Sequence, residues 1–298
     1  MSGFALQAYL KERRALVDAA LERALPGEDV PPPTVHRAMR YSVMAGGKRL
    51  RPILVIAGAE TVGGTAAMVL PTACALELIH TYSLIHDDLP AMDDDDYRRG
   101  RLTSHKVFGD AVAILAGDAL LTLAFRLIAD NADLVRDPRS IRDVVAEVAD
   151  AAGTAGMVGG QVVDIESEGK TVSAETLDYI HTRKTAALIR ASLRVGAMLA
   201  GAKPDALKAI TRAGEALGLA FQIVDDILDV EGSLEELGKT AGSDQRKQKA
   251  TYPALHGLEA SRRRARQLIE DAKVALMPLG PAARPIAALA DFIYERRS

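Results

Sequence analysis

A run of acidic residues at the end of an apolar segment most constrains this 298-residue chain. Six aspartates fall between Asp87 and Asp96, and Arg98 and Arg99 follow directly. Residues 69–86 have the composition of one helix, so the aspartates lie at its C-terminal end, where the helix dipole disfavours negative charge. A solvated turn tolerates such a cluster, and so does a site that binds cations. The apolar helix that precedes the aspartates favours a cation-binding site over a solvated turn. Carboxylate oxygens are hard ligands, which favour Mg²⁺.

The first acidic segment also contains a proline, Pro90, that is expected to interrupt the helix. Pro90 lacks a backbone N–H, so it is expected to end or bend the helix and let Asp93 turn back toward Asp87. His80 lies seven positions before Asp87 and therefore on nearly the same helix face. A histidine in an apolar helix is equally compatible with a packed core position, and the residues alone leave that alternative open.

A second acidic helix repeats this chemistry in the C-terminal half. Asp225 and Asp229 are four positions apart in an apolar segment, which places them about 40° apart on one helix face. Lys239 follows Asp225 by fourteen positions, much as Arg98 follows Asp87 by eleven. Two such helices, each followed by basic residues, predict facing walls of one site for metal ions and diphosphate.

Composition predicts an all-α fold. Alanine and leucine dominate, aromatic residues are few, and β-branched residues are not enriched. Apolar residues recur at helical spacing between glycine and proline breaks, and no sustained alternation predicts a strand. No linker or shift in composition marks a boundary, so we expect one all-α domain over residues 1–298. Four glycines fall within one helical pattern, which either close helix packing or a substrate channel would explain, with packing preferred: Gly153, Gly156, Gly159 and Gly160.

Charge and cysteine content exclude several classes of protein. The net charge of −3 provides no overall basic field for nucleic acid or an acidic membrane. Cys74 is the single cysteine, so no intrachain disulfide can form, and cytoplasmic residence is expected. The N-terminal residues do not resemble a secretory signal, and no uncharged apolar run approaches eighteen residues. The sequence therefore predicts no membrane span.

The motifs of this chain, taken in order, resemble those of trans-isoprenyl diphosphate synthases, most closely the bacterial farnesyl-forming branch. They cover nearly the whole chain and are Gly46-Gly-Lys-Arg-Leu-Arg-Pro52, His80, Asp87-Asp-Leu-Pro-Ala-Met-Asp93, Arg98-Arg-Gly100, Gly159-Gly-Gln161, Lys184-Thr185, Phe221-Gln222, Asp225-Asp-Ile-Leu-Asp229, Gly238-Lys239 and Lys249-Ala-Thr-Tyr-Pro253. The resemblance implies a helical bundle with a central cavity, a homodimer, and condensation of isopentenyl diphosphate with dimethylallyl or geranyl diphosphate.

The same resemblance implies a role for each polar residue of the motifs. Mg²⁺, expected as three ions with substrate bound, would be held by Asp87, Asp93 and Asp225, with Asp88 and Asp229 in support. The allylic diphosphate would be held by Arg98, Lys184, Lys239 and Lys249, with Thr185 and Gln222 near the developing cation. Isopentenyl diphosphate would be held by Lys48, Arg51, His80 and Arg99. No general base is required, because the leaving diphosphate takes the proton.

Product length is expected to depend on Tyr82, five positions before Asp87. In the family an aromatic residue here forms the floor of the chain-elongation cavity, which implies a C15 product. The alternative is that Tyr82 is an ordinary core residue and that the product is C20.

Two further alternatives share this chemistry or this fold. A class I terpene cyclase also uses aspartate-rich Mg²⁺ sites, but it should lack the second diphosphate site and be richer in aromatics. A non-catalytic subunit of the same fold commonly loses an acidic motif, whereas both are intact here.

Overall fold

The computed structural model describes residues 4–231 and 251–295, and helices dominate both ranges. The helices are α1 (Leu6–Ala24), α2 (Pro33–Val43), α3 (Leu50–Thr61), α4 (Ala66–Asp87), α5 (Ser104–Phe108), α6 (Asp110–Asp130), α7 (Ser140–Ala152), α8 (Met157–Ser167), α9 (Ala174–Ile180), α10 (Ala187–Leu199), α11 (Pro204–Glu231), α12 (Tyr252–His256), α13 (Leu258–Leu276) and α14 (Arg284–Glu295). Short 3₁₀ segments cover Asn131–Asp133 and Met277–Ala283, and a π-helical turn covers His181–Ala186. The all-α prediction is confirmed.

The β structure within the described ranges is one short ribbon. Strands β1 (Tyr97–Arg98) and β2 (Arg101–Leu102) pair antiparallel, with Tyr97 opposite Leu102 and Arg98 opposite Arg101. Arg99 adopts a positive φ of 53° in the turn between them. The ribbon therefore holds Arg98 and Arg99 a few residues beyond the acidic run.

Helix α4 passes through the core and presents its C-terminal end to the acidic run. Its middle section is buried on every side, including Leu76, Leu78 and Ile79. Because each fully buried aliphatic side chain contributes about 1.5–3 kcal/mol, this section anchors the helix firmly. A helix that is apolar all round belongs in a core. Helices α3 and α10 contribute residues to both hydrophobic clusters of the protein and so join its two halves.

Two helical segments are long and apolar enough to cross a membrane, judged by length and composition alone. In Ala66–Asp87, 67% of the apolar stretch is buried inside the protein, whereas in Asp110–Asp133 the share is 39%. One or two such segments are weak evidence for a span, because core helices of the same length pass the same test. The second segment does, however, carry an exposed apolar face.

The interpretation of the four glycines is partly wrong. Gly153 and Gly156 lie in the break between α7, which ends at Ala152, and α8, which begins at Met157. The predicted close packing does occur at Gly160. A side chain there would place its Cβ 2.2 Å from the backbone nitrogen of Lys184, so glycine lets α8 approach the π-helical turn.

Candidate active site

The first acidic wall forms where α4 ends. The helix stops at Asp87, and the chain then turns back so that the backbone N–H of Asp93 donates to the carbonyl oxygen of Asp87 over 2.7 Å. Asp88 is buried, and its Oδ1 accepts a hydrogen bond of 2.6 Å from Arg98. Arg98 Nη2 also lies 3.4 Å from Asp95 Oδ2. The turn thus brings two carboxylates of the acidic run, those of Asp88 and Asp95, to one guanidinium beside the helix end.

Burial and neighbouring charges shift the pKa values of side chains in this first acidic wall. Burial raises the pKa of Asp87 to about 6, the charge of Asp93 adds to the rise, and Lys184 opposes it. Burial also raises the pKa of Tyr82, and the charge of Asp87 adds to that rise. Asp87 therefore lies within electrostatic reach of both Lys184 and Tyr82.

A basic pocket forms around the Gly46–Arg51 segment. Arg99 Nη1 donates to the carbonyl oxygen of Gly46, and a Cβ at Gly47 would lie 2.8 Å from the Arg99 guanidinium carbon. Gly47 also has a φ of +129°, so only glycine suits this position. Burial lowers the pKa of Arg51 to about 10, with the charge of Arg99 contributing. Arg51 therefore remains charged at pH 7.

His80 faces this group of cations. Burial, followed by the charges of Arg51 and Arg99, lowers the pKa of His80 well below its ordinary value. The imidazole is consequently neutral at pH 7 and able both to donate and to accept a hydrogen bond. Lys48 is exposed and lines a cavity of about 510 Å³ together with Leu50 and Phe221.

Arg49 has a structural role that the sequence analysis missed. Its side chain is buried and donates hydrogen bonds of 2.8 Å to Asp18, Glu77 and the carbonyl oxygen of Val43. The residue has a positive φ of 51°, so the contacts hold a strained loop in place between Lys48 and Arg51. Glu77, a carboxylate inside an apolar helix three positions before His80, was the available sequence signal.

The second wall is built from the π-helical turn and α11. Lys184 Nζ contacts Asp164 Oδ2 at 2.6 Å, and Thr185 Oγ1 donates to Gln222 Oε1 over 2.8 Å. Single π-helical turns are frequent at functional sites, because they redirect side chains. Asp164 is another functional candidate that was missed, although its position three residues after Gln161 in the glycine motif could have indicated it.

The aspartates of α11 differ in their surroundings. Asp225 is partly exposed, and its negative charge opposes the fall in the pKa of Arg51. Asp229 is buried, and neither of its side-chain oxygens has a hydrogen-bond partner among the described residues. Asp226 is also buried, but its Oδ1 accepts a hydrogen bond of 2.9 Å from Gln222 and its Oδ2 accepts one of 2.8 Å from the Tyr252 N–H.

Comparison with known proteins decides the family. Residues 32–275 match the family described as polyprenyl synthetase. The chain belongs to the polyprenyl synthetase family. A dimethylallyltranstransferase from Fischerella ambigua is 51% identical over 98% of this chain and 84% of its own length. A farnesyl diphosphate synthase from Geobacillus stearothermophilus is 47% identical over 92% of both chains.

Solved structures agree with this assignment. The geranylgeranyl pyrophosphate synthetase of Pyrococcus horikoshii has a TM-score of 0.89 and 33% identity over 98% of both chains. Relatives named as geranylgeranyl diphosphate synthases are also among the curated proteins that match. The resemblance drawn from the motifs is confirmed, and so is the prediction of an enzyme that transfers prenyl groups.

The donor set of this polyprenyl synthetase fits Mg²⁺. Its acidic walls offer carboxylate oxygens, which are the ligands that Mg²⁺ prefers. The two oxygens of Asp229 are buried without a partner in the described ranges, and Asp87 lies in a crowded acidic group. Beyond Asp93, ligand atoms of Asp94, Asp96 and His105 also lie within 4.8 Å of one another.

The predicted site residues fall into three groups. Each member of the first group has an electrostatic or hydrogen-bond contact with another predicted site residue in the described structure: Asp87, Asp93, Asp88, Arg98, Arg99, Arg51, His80, Lys184, Thr185, Gln222, Tyr82 and Asp225. Lys48, which lines a cavity, and Asp229, whose buried oxygens have no hydrogen-bond partner among the described residues, form the second group. Lys239 and Lys249 lie outside the described residues, so their predicted contacts with the allylic diphosphate remain predictions.

Proposed function

We propose that this enzyme condenses isopentenyl diphosphate with dimethylallyl or geranyl diphosphate and releases farnesyl diphosphate as its main product. The observation that carries the C15 assignment is Tyr82, which is only 7% exposed and lies within electrostatic reach of Asp87. A bulky ring at that depth limits the room for a growing chain. The runner-up is a C20 product, because a relative named geranylgeranyl diphosphate synthase matches at least as well as the one named farnesyl diphosphate synthase.

The allylic diphosphate is assigned to the space between the two acidic walls. Asp87, Asp93 and Asp225 would hold Mg²⁺, with Asp88 and Asp229 in support; three ions are proposed. Bound Mg²⁺ acts as a Lewis acid toward the departing diphosphate. Arg98 and Lys184 are paired with Asp88 and Asp164, and they are expected to exchange these carboxylates for phosphate oxygens.

Isopentenyl diphosphate is assigned to the basic pocket. The guanidinium groups of Arg51 and Arg99 suit bidentate contact with phosphate oxygens, Lys48 supplies a point charge, and neutral His80 supplies a hydrogen bond. Buried Glu77 opposes the fall in the pKa of Arg51 and of Arg99. Glu77 therefore favours the charged form of both guanidinium groups, and Asp225 does the same for Arg51.

The proposed chemistry balances without a further reactant. The C1–O bond of the allylic diphosphate breaks, and its electron pair leaves with the diphosphate. The alkene electrons of isopentenyl diphosphate form the new bond to C1, and a proton passes from the adduct to the released diphosphate. Preorganised charge around the departing group is the largest available source of rate enhancement. The oxygens of Thr185 and Gln222 would face the transient cation.

Product analysis tests this function directly. The purified protein is incubated with Mg²⁺, isopentenyl diphosphate and either dimethylallyl or geranyl diphosphate, and the hydrolysed alcohols are separated by length. Farnesol is expected as the main alcohol. Mainly geranylgeraniol would retain the chemistry and reject the C15 assignment. A cyclic hydrocarbon, or no condensation, would reject the proposed function.

We further propose that the enzyme is a homodimer and that the outward face of α6 forms the interface. Ile114 and Leu115 on this helix are apolar and yet 43% and 57% exposed. Helix α6 also belongs to the more exposed of the two long apolar segments. The family resemblance implies a homodimer, and a second copy of the chain would cover this face. A cytoplasmic location is proposed as well, supported by the single free cysteine, Cys74.

Replacing Leu115 with aspartate is expected to shift the protein from dimer to monomer, because the charge would be desolvated at the interface. Light scattering after size-exclusion chromatography measures the mass. Val274→Asp is the matched control, since Val274 is 63% exposed on α13 and its substitution should leave the mass unchanged. A monomeric wild type, or a Leu115→Asp variant that stays dimeric, would contradict the assignment of this face.

A further inference from the structure

Asp226 of the second acidic motif is buried and hydrogen-bonded through both of its carboxylate oxygens. It is 3% exposed, and each of its oxygens accepts a hydrogen bond, from Gln222 Nε2 at 2.9 Å and from the Tyr252 N–H at 2.8 Å. His181 Nε2 also lies 3.3 Å from its Oδ2. Buried Asp229 contrasts with it, because its oxygens have no hydrogen-bond partner among the described residues.

The contact with Gln222 fixes the orientation of an amide. An ionised carboxylate offers acceptors only, so it requires the NH₂ end of the Gln222 side chain to face Asp226. The carbonyl end then faces Thr185, whose hydroxyl donates to Gln222 Oε1 over 2.8 Å. If the amide were flipped, its oxygen would face the carboxylate, and two acceptors would meet in a buried place where such repulsion is strong.

We infer that Asp226 is a positioning residue that acts through Gln222 and not through the metal ions. In this role it would fix the Gln222 amide and its hydrogen bond with Thr185, so that the oxygens of both residues are available to stabilise the allylic cation. This inference rests on the proposed function, since only a cation gives that orientation a purpose. It assigns different tasks to adjacent aspartates of α11, metal binding to Asp225 and amide orientation to Asp226.

The surroundings of Asp226 explain why one carboxylate can set this geometry. It joins α11 to the π-helical turn through His181 and to the start of α12 through Tyr252, whose ring stacks on His181 at a centroid distance of 6.2 Å. The same turn carries Thr185. Both partners of the Thr185–Gln222 hydrogen bond are therefore positioned by elements that contact Asp226.

Exchanging the donor and the acceptor tests the inference. Gln222→Glu alone places two carboxylates together and is expected to lower kcat roughly 100-fold, the size of effect that follows loss of one preorganised group in an active site. Adding Asp226→Asn restores a donor–acceptor pair of reversed polarity with the same net charge. The double variant is expected to recover about tenfold or more in kcat over Gln222→Glu, as coupled buried pairs do.

A second comparison separates positioning from metal binding. Asp226→Asn is expected to lower kcat while leaving the KM values and the Mg²⁺ concentration for half-maximal activity within about twofold of wild type, whereas Asp225→Asn should raise that concentration. Asp205→Asn, an exposed position at the start of α11, is the control and should change neither quantity. Thermal unfolding identifies any variant that does not fold.

The outcomes are distinct. No recovery in the double variant, or a Mg²⁺ requirement that rises with Asp226→Asn as it does with Asp225→Asn, would overturn the inference. If Gln222→Glu does not fold, Gln222→Leu replaces it. The loss from Asp226→Asn should then vanish in the Gln222→Leu background, and multiplying losses would overturn the inference. A wild-type protein that forms no prenyl product would instead reject the proposed function.

Discussion

Replacing Asp225 with alanine is expected to reduce the condensation rate about 1000-fold or more and to leave the protein folded. A Lewis acid contributes several kcal/mol to the stabilisation of a departing anion, and each 1.36 kcal/mol changes the rate tenfold. Asp225 is the α11 carboxylate whose charge reaches the basic pocket around Arg51. Its loss would remove metal-binding charge from one wall and a counter-charge from the pocket. Steady-state kinetics at saturating Mg²⁺ measures the effect.

The fold should tolerate this change, because alanine is the best helix former and Asp225 is partly exposed. The unfolding temperature is therefore expected to stay within about 2 °C of wild type, equivalent to about 1 kcal/mol for a chain of this length. Asp205→Ala, in an exposed position on the same helix, serves as the control and should retain full activity. Near-wild-type turnover of Asp225→Ala would mean that the second acidic wall does not hold catalytic metal.

Much of the fold follows from patterns that are local in sequence. The run of apolar residues before Asp87 predicts a buried helix, and α4 occupies Ala66–Asp87, close to the predicted residues 69–86. The turn after it was predictable for a chemical reason, since a proline follows within three residues. These features depend on backbone rules that operate over a few residues. The family motifs then indicate which helix ends share a site.

The residues that were missed depend on tertiary partners. Arg49 belongs to a recognised motif, but its partners Asp18 and Glu77 lie 31 and 28 positions away. Asp164 acquires meaning only when Lys184, twenty positions later, packs against it. Periodicity cannot reveal such pairs, because helical spacing reports which face a residue occupies and not what it meets. The π-helical turn likewise packs against a distant residue, since only a glycine at position 160 leaves room for the Lys184 backbone.

The pairing of the cations also bears on how the site binds diphosphate. Arg98 lies 2.6 Å from Asp88, and Lys184 lies 2.6 Å from Asp164, so both side chains are held near the walls before any substrate arrives. Preorganisation of this kind lowers the entropic cost of ordering long side chains on binding. It also makes binding more selective, since a ligand must displace a carboxylate from each of these two basic side chains. A diphosphate with its bound metal has the charge to do so.

Replacing Tyr82 with alanine is expected to shift the main product from C15 to C20 or longer. Tyr82 is buried on α4 five residues before Asp87, and its ring packs edge-on against His86 at 5.7 Å. Removing it would open space beneath the acidic wall, along which the prenyl chain is expected to extend. Sizing of the hydrolysed alcohols measures the shift, with geranylgeraniol exceeding farnesol.

Because truncation of a buried aromatic residue costs about 3–5 kcal/mol, the alanine variant needs a thermal unfolding measurement before its products are interpreted. Tyr82→Phe is the matched control: it keeps the ring and loses only the hydroxyl, so farnesol should remain the main alcohol. A folded Tyr82→Ala variant that still stops at C15 would place the floor elsewhere in the cavity. Lengthening in both variants would assign the limit to the hydroxyl group and not to the bulk of the ring.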